Sequence, residues 1–132
     1  MTAREIYQRS LVLLNETGSQ GEGQYDTALF EKNAPTLINM LIVMLDELDC
    51  FIKNKKVQEN QYESQCIETL DDTVFLHPII TENIMPFGLA YLLILEEDSA
   101  RASVFYKRYR EEKEELKNRF RSVKRHTIRN MY

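Results

Sequence analysis

The fold is decided by residues 78–123, which read PIITENIMPFGLAYLLILEED (78–98) and then SARASVFYKRYREEKEELKNRFRSV (99–123). The first part is almost wholly apolar toward its end, whereas the second carries a thin apolar stripe on a charged background. A helix that is apolar all round is buried, and a charged helix with a narrow stripe packs along one side only. This stretch therefore predicts a buried helix followed by a long amphipathic one.

Two further helices are predicted before this stretch. Thr2 and Glu5 fit a capping box, which starts a first helix over residues 3–16. Asp26 is a plausible cap for a second helix, whose apolar residues recur at steps of three and four as far as Ile52. Pro35 either kinks that helix or begins a second piece. Four more apolar residues widen its stripe and predict burial on most sides: Met40, Ile42, Val43 and Met44.

The segment between the second helix and Pro78 has the weakest pattern. Residues 66–70 alternate like a short strand, and Asp71 with Asp72 indicates a turn. We predict an extended arm or a short β element here. The third helix starts near Pro78 and is interrupted at Pro86 and Gly88.

The last helix is predicted over residues 99–123, with Asp98 or Ser99 as its cap. At 1.5 Å per residue it would be about 37 Å long. Four glycines and three prolines in 132 residues also favour a few long helices over many short strands. We predict an all-α bundle of about four helices in a single domain, residues 1–123, with a basic C-terminal tail, residues 124–132.

The charges are unevenly distributed. Residues 1–115 hold 21 acidic and 11 basic residues, a balance of −10, whereas residues 116–132 hold six basic residues and no acidic one. An acidic body with a basic tail predicts that the tail contacts something negative. That partner is nucleic acid or an acidic protein surface, including another copy of this body.

No set of residues typical of catalysis or metal binding is found. His77 and His126 have no ligand partner three or four residues away, so we expect no metal site and a capping or surface role for His77. Cys50 is expected to be a buried, inert thiol and Cys66 to be free. The carboxylates at 46–49, 71–72, 96–98 and 111–115 are expected on solvated faces, in turns or at helix N-termini. We therefore predict no enzymatic activity and no cofactor.

Neither a signal peptide nor a membrane span is indicated. Residues 1–20 lack the charged-then-apolar order of a signal, and the apolar run 89–95 is far shorter than the roughly 20 residues of a membrane helix. We expect a protein made in the cytosol.

Parts of the chain resemble a family of small helical proteins from tailed phages and prophages, the head–tail adaptors (connectors). The resemblance lies in residues 2–16, 25–48 and 70–109. Its motifs are AREIY (3–7), APTLIN (34–39), LDD (70–72), IMPFGLA (84–90) and ASVFYKRY (102–109), of which the last two are the most distinctive. Residues 124–132 match nothing in that pattern.

The resemblance implies a structural, non-enzymatic virion protein at the head–tail neck, assembled in the host cytoplasm. Copies would form a ring, commonly a dodecamer, between the portal protein and a stopper or tail-completion protein, and DNA would pass through it without sequence-specific binding. The C-terminal segment would dock on the portal, here through the residues Lys117, Arg121, Lys124, Arg125, Arg129 and Tyr132. Subunits would pack through the stripe of the last helix, with Phe105, Tyr109, Leu116 and Phe120. The alternative is a small helical regulator that binds DNA or a partner through its basic tail.

Overall fold

The computed structural model describes residues 1–16, 25–53 and 66–130, and of residues 15, 16 and 122–130 it describes the backbone alone. These residues form five α-helices: α1 (Ala3–Glu16), α2 (Thr27–Lys53), α3 (Pro78–Asn83), α4 (Met85–Ile94) and α5 (Ser99–Asn130). In these ranges the only β pairing is one isolated bridge, between Thr2 and Thr73. The predicted all-α bundle is confirmed.

Helix α4 lies at the centre of the bundle and packs against the other four helices. Its sequence, MPFGLAYLLI, is apolar around the whole circumference, so every side of the helix gains by burial. The fully buried side chains around it come from α1, α2 and α3 and include Ile6, Leu41, Leu45 and Ile80. Burial of apolar surface around this one short helix is the main source of stability that the structure displays.

The break between α3 and α4 lies at Ile84, two residues before Pro86. Proline has no N–H to bond the carbonyl four residues earlier and its ring clashes with that turn, so a helix that approaches Pro86 has to be interrupted there. Pro86 itself occupies the first turn of α4, where its missing N–H costs nothing. The predicted interruption at Pro86 is thus confirmed, with its position shifted by two residues.

Gly88 does not interrupt a helix, contrary to the prediction. Its N–H donates to the carbonyl of Ile84 (3.2 Å), so its backbone continues α4. A Cβ at this position would lie 2.8 Å from Cδ2 of Leu41 and 3.0 Å from Cδ2 of Tyr109. Gly88 is therefore the point where α2 and α5 approach α4 most closely, which only a residue without a side chain permits.

The N-terminal ends of the helices confirm the predicted caps. The hydroxyl of Thr2 accepts the N–H of Glu5 (3.2 Å), and the carboxylate of Asp26 accepts the N–H of Leu29 (3.2 Å). The carboxylate of Asp98 accepts the N–H of Arg101 (3.1 Å), so Asp98 caps α5. Each bond satisfies an N–H that has no partner inside its helix. Pro35 lies within the continuous α2 and does not begin a second helix.

Residues 66–77 cover the N-terminus of α1 and one side of α2. The N–H groups of Ala3 and Arg4 donate to the carbonyls of Asp72 (2.9 Å) and Leu70 (2.8 Å). The predicted turn at residues 71–72 is confirmed, because the carboxylate of Asp72 accepts the N–H groups of Glu68 and Thr69 and its own N–H returns to the carbonyl of Thr69. Residues 66–77 contain no β-strand, and residues 62–65, the rest of the predicted arm, lie outside the described residues.

Helix α5 is longer than predicted. It runs over 32 residues from Ser99 to Asn130, about 48 Å, and not from 99 to 123. The basic residues 124–130 therefore continue the helical backbone of α5.

Candidate functional site

The predicted subunit-packing residues lie within the core of the chain itself. Phe105, Tyr109 and Leu116 are buried, at 2–4% exposure, and Phe120 is partly buried against the same core. Tyr109 lies against Gly88 of α4, the helix that α5 contacts most extensively, and Leu116 lies beside Ile79 and Asn83 of α3. A side chain buried in its own chain has almost no surface left for a second subunit. Contacts between copies therefore need other residues than these three.

The basic end of α5 is described as far as Arg121. Lys117 is partly buried, whereas Arg121 is exposed. Arg119 forms an ion pair with Glu115 (3.2 Å). Burial lowers the pKa of Lys113, and the positive charge of Lys117 lowers it further. The side chains of Lys124, Arg125 and Arg129, and the whole of Tyr132, lie outside the described residues.

The acidic residues Asp46 and Asp49 are buried in α2, at 0% and 1% exposure, and not on a solvated face as predicted. One oxygen of Asp49 accepts the backbone N–H of His77 (2.8 Å), and the other lies 3.1 Å from Nζ of Lys53. Asp49 therefore fixes residues 66–77 to α2 at the point where α3 begins. This is a structural role, since a buried carboxylate needs such partners to offset its lost hydration.

Asp46 has less compensation than Asp49. Its Oδ2 lies 3.8 Å from Sγ of Cys50, and its Oδ1 has no hydrogen-bond partner. Burial, and next the charge of Asp49, raise the pKa of Asp46 above its ordinary value. Burial likewise raises the pKa of the Cys50 thiol, with Asp46 and Asp49 adding to the effect. Cys50 is thus the buried thiol that the sequence predicted, and its raised pKa favours the unreactive protonated form.

His77 has the predicted capping role. Its Nδ1 accepts the N–H of Ile79 (3.2 Å) at the start of α3. Among the residues that the structure describes, no three side chains of the histidine, cysteine or acidic type lie close enough together to hold a metal ion. None of the described helices is long and apolar enough to cross a membrane.

The outer face of α2 is apolar and exposed, although the sequence predicted its burial. Met40, Val43 and Met44 are each about half exposed (46–47%), and only Ile42 of the four predicted residues is buried. Val43 and Met44 lie away from α4, because the core side of the helix already carries Leu41, Leu45 and Leu48. Contiguous exposed apolar surface of this kind is typical of interaction sites.

A groove of about 420 Å³ runs between this face of α2 and the end of α4. We call it the α2–α4 groove. Its apolar walls come from Leu29, Leu37 and Met40 on one side and from Leu92 and Leu95 on the other, and Glu96 and Glu97 stand at its end. Both glutamates are exposed. The groove combines an apolar interior with an acidic end, a combination that favours a basic amphipathic segment as its ligand.

Sequence reasoning missed this groove, although the signal for it was present. The second helix carries apolar residues on more sides than one neighbour can cover, and among the described helices α4 is the one that contacts it most. No family model, curated protein or solved structure matches this chain.

Proposed function

We propose that this chain is a structural protein of the phage head–tail neck, an adaptor that forms a ring between the portal protein and a stopper or tail-completion protein. The observation that carries the proposal is the form of α5. It extends to Asn130, whereas the described side chains reach the core no further than Phe120. About ten residues, or 15 Å, of basic helix follow the last of these contacts.

The rest of the structure supports a protein that assembles with other proteins in preference to an enzyme. The two buried carboxylates are used to hold backbone and a thiol, and the exposed features are an apolar groove and a basic helix end. Such features are typical of surfaces that bind other proteins. The motifs of residues 84–90 and 102–109 lie in α4 and α5, so the part of the chain that resembles the adaptors is also the centre of its fold.

In this proposal the basic C-terminal residues dock on the portal. Lys117 and Arg121 are one helical turn apart, and Lys124, Arg125 and Arg129 follow at steps of three, one and four residues on the same helix. A row of positive charges would steer the ring toward an acidic portal surface and orient it there. DNA would cross a ring whose bodies carry net negative charge and do not grip it.

The proposal is tested by co-purification with a portal protein encoded in the same gene cluster. Arg121→Glu/Arg125→Glu should abolish retention of the chain on immobilised portal. Lys107→Glu/Arg110→Glu is the matched control, with the same charge change on the exposed N-terminal half of α5, and should be retained.

The rival function would give a different outcome. A chain that ignores the portal but binds duplex DNA, with an affinity that falls steeply as salt rises, would be a DNA-binding regulator, because each phosphate contact releases counterions. That result would refute the adaptor proposal.

A further inference from the structure

The α2–α4 groove is open in the described part of the chain. Its walls include Leu29, Met40 and Leu95, which are 39–47% exposed. Two of them lie on α2, where the exposed apolar surface continues to Val43 and Met44. Methionine-rich apolar surfaces adapt their shape to a ligand, which is common at protein-binding sites.

The C-terminal half of α5 has the complementary chemistry. From residue 117 to 130 it contains six basic residues and no acidic one. The groove ends at Glu96 and Glu97, in a body whose first 115 residues carry a balance of −10, from 21 acidic and 11 basic residues. Leu116 and Phe120 pack on the core of their own chain, but the basic helix beyond them still carries the apolar residues Val123 and Ile128. A basic helix of this composition fits an apolar groove with an acidic end.

This helix end cannot reach the groove of its own chain. Glu97 lies two residues before α5 begins, and α5 then continues without a break for 32 residues. A continuous helix of that length places its last turn about 48 Å from its first. The groove and the basic end are therefore at opposite ends of the molecule, and only a second molecule can bring them together.

We propose that the α2–α4 groove binds the basic C-terminal part of α5, residues 117–130, of a second copy of this chain. The contact joins two unlike surfaces, so a pair of copies still has one free groove and one free helix end. Contacts of this type close into rings or continue as filaments. The inference deepens the proposed function and rests on it in one respect, namely that copies of the chain assemble with one another.

A helix that lies in a groove contacts it through one face only. The neighbouring copy therefore covers one side of residues 117–130, and the opposite side remains available to a further partner. Contact with the neighbour and contact with the portal are compatible on the same helix.

The direct test is binding of a fluorescein-labelled synthetic peptide of residues 113–132 to the full-length chain, measured by fluorescence anisotropy. Glu96→Lys/Glu97→Lys should weaken binding at least about tenfold, since attraction between the glutamates and the basic peptide is replaced by repulsion. Met40→Asp, which puts a charge into the apolar wall, should weaken it at least as much. A scrambled peptide of the same composition should bind at least about tenfold more weakly than the native one.

Matched controls separate the groove from general effects of charge and polarity. Glu68→Lys/Glu82→Lys carries the same charge change at exposed positions outside the groove, and Val12→Asp alters an exposed apolar residue of α1. Both should bind the peptide within about twofold of the unmodified chain. All four variants change exposed residues, and unaltered circular dichroism would show that they are folded.

The proposal is overturned if the peptide fails to bind at roughly 100 µM chain, if it binds all variants equally, or if the scrambled peptide binds as well. Failure here together with ring formation on the portal would leave the adaptor function standing with another subunit contact. Binding in the groove without any response to the portal would support the contact and refute the adaptor function.

Discussion

Gly88 offers the sharpest test of the packing at the centre of the bundle. A Cβ there would lie 2.8 Å from Cδ2 of Leu41, about 0.7 Å closer than the lower end of ordinary carbon contacts. Leu41 and Tyr109 are 1% and 2% exposed, so neither has free space to withdraw into. Overpacking of this kind costs about 1–3 kcal/mol, and the better helix propensity of alanine offsets about 1 kcal/mol. We expect Gly88→Ala to lower the free energy of unfolding by about 1 kcal/mol.

The cause is isolated by a double-mutant cycle with Leu41→Ala, which removes the atom nearest to the added methyl. Leu41→Ala alone should cost about 2–5 kcal/mol, because the side chain is fully buried. In that background Gly88→Ala should become neutral or stabilising, which corresponds to a coupling of about 1 kcal/mol.

The four proteins are compared by urea unfolding followed by far-ultraviolet circular dichroism. A coupling below about 0.5 kcal/mol is within the usual error of additivity and would show that Leu41 does not set the space at Gly88. A cost below about 0.5 kcal/mol for Leu41→Ala would show that α2 does not pack on α4 as described.

Three other changes test the buried carboxylate, the buried phenol and the basic tail. The pKa of Asp46 is raised in the folded state, so ionisation of Asp46 destabilises the protein as pH rises through that pKa. At pH 7 the Asp46→Asn variant should therefore melt at a higher temperature than the unmodified chain. The difference in melting temperature should shrink as pH falls toward 3.8. An advantage that is constant with pH would contradict the burial of an ionising Asp46. The hydroxyl of Tyr109 is buried without a hydrogen-bond partner among the described residues, and burial raises its pKa to about 12. Tyr109→Phe should therefore be neutral or stabilising by up to about 1 kcal/mol in thermal unfolding. A clear loss of stability would reveal a partner for the hydroxyl. Removal of residues 124–132 should leave the helical circular dichroism signal intact but weaken assembly, whereas an unfolded product would refute a separate role for the tail.

The starts of the helices could be predicted because their causes are local. Thr2, Asp26 and Asp98 each accept an N–H of the first turn that follows, and Pro78 and Pro86 occupy first turns, where proline is favoured. These interactions involve residues three apart at most, so the sequence alone determines them.

The role of Gly88 could not be predicted in the same way. Locally a glycine after a proline indicates an interruption of the helix. In the structure, the side chains that leave no room for a Cβ at Gly88 are those of Leu41, 47 residues earlier in the sequence, and Tyr109, 21 residues later. Close approach of three helices is a property of the tertiary fold and leaves no periodic signal.

The charges of Asp46 and Asp49 alone predict exposure, whereas the apolar pattern of their helix predicts burial. An α2 that is apolar on several sides has little solvated face left for acids, and the pattern of Ile42, Leu45 and Leu48 already placed residues 46 and 49 beside buried neighbours. The exposed Met40, Val43 and Met44 show the converse. A sequence pattern identifies apolar faces, but the number of neighbours that the fold supplies decides which of them are covered.

The subunit-packing residues illustrate the same limit. The stripe of Phe105, Tyr109 and Leu116 was predicted to pack between subunits, and in the structure these side chains are buried in the core of their own chain. Periodicity shows that a stripe is buried and does not tell whether the partner is within the chain or in another copy.

The measurement that most directly tests the adaptor function is the mass of the purified full-length chain, alone and after mixing with the portal protein of its gene cluster, by native mass spectrometry. If the chain is an adaptor, we expect a single complex with a fixed number of copies of the chain on each portal ring. We expect the Glu96→Lys/Glu97→Lys variant, which changes the groove, to lose that complex. A chain that keeps the same mass with and without portal would contradict it.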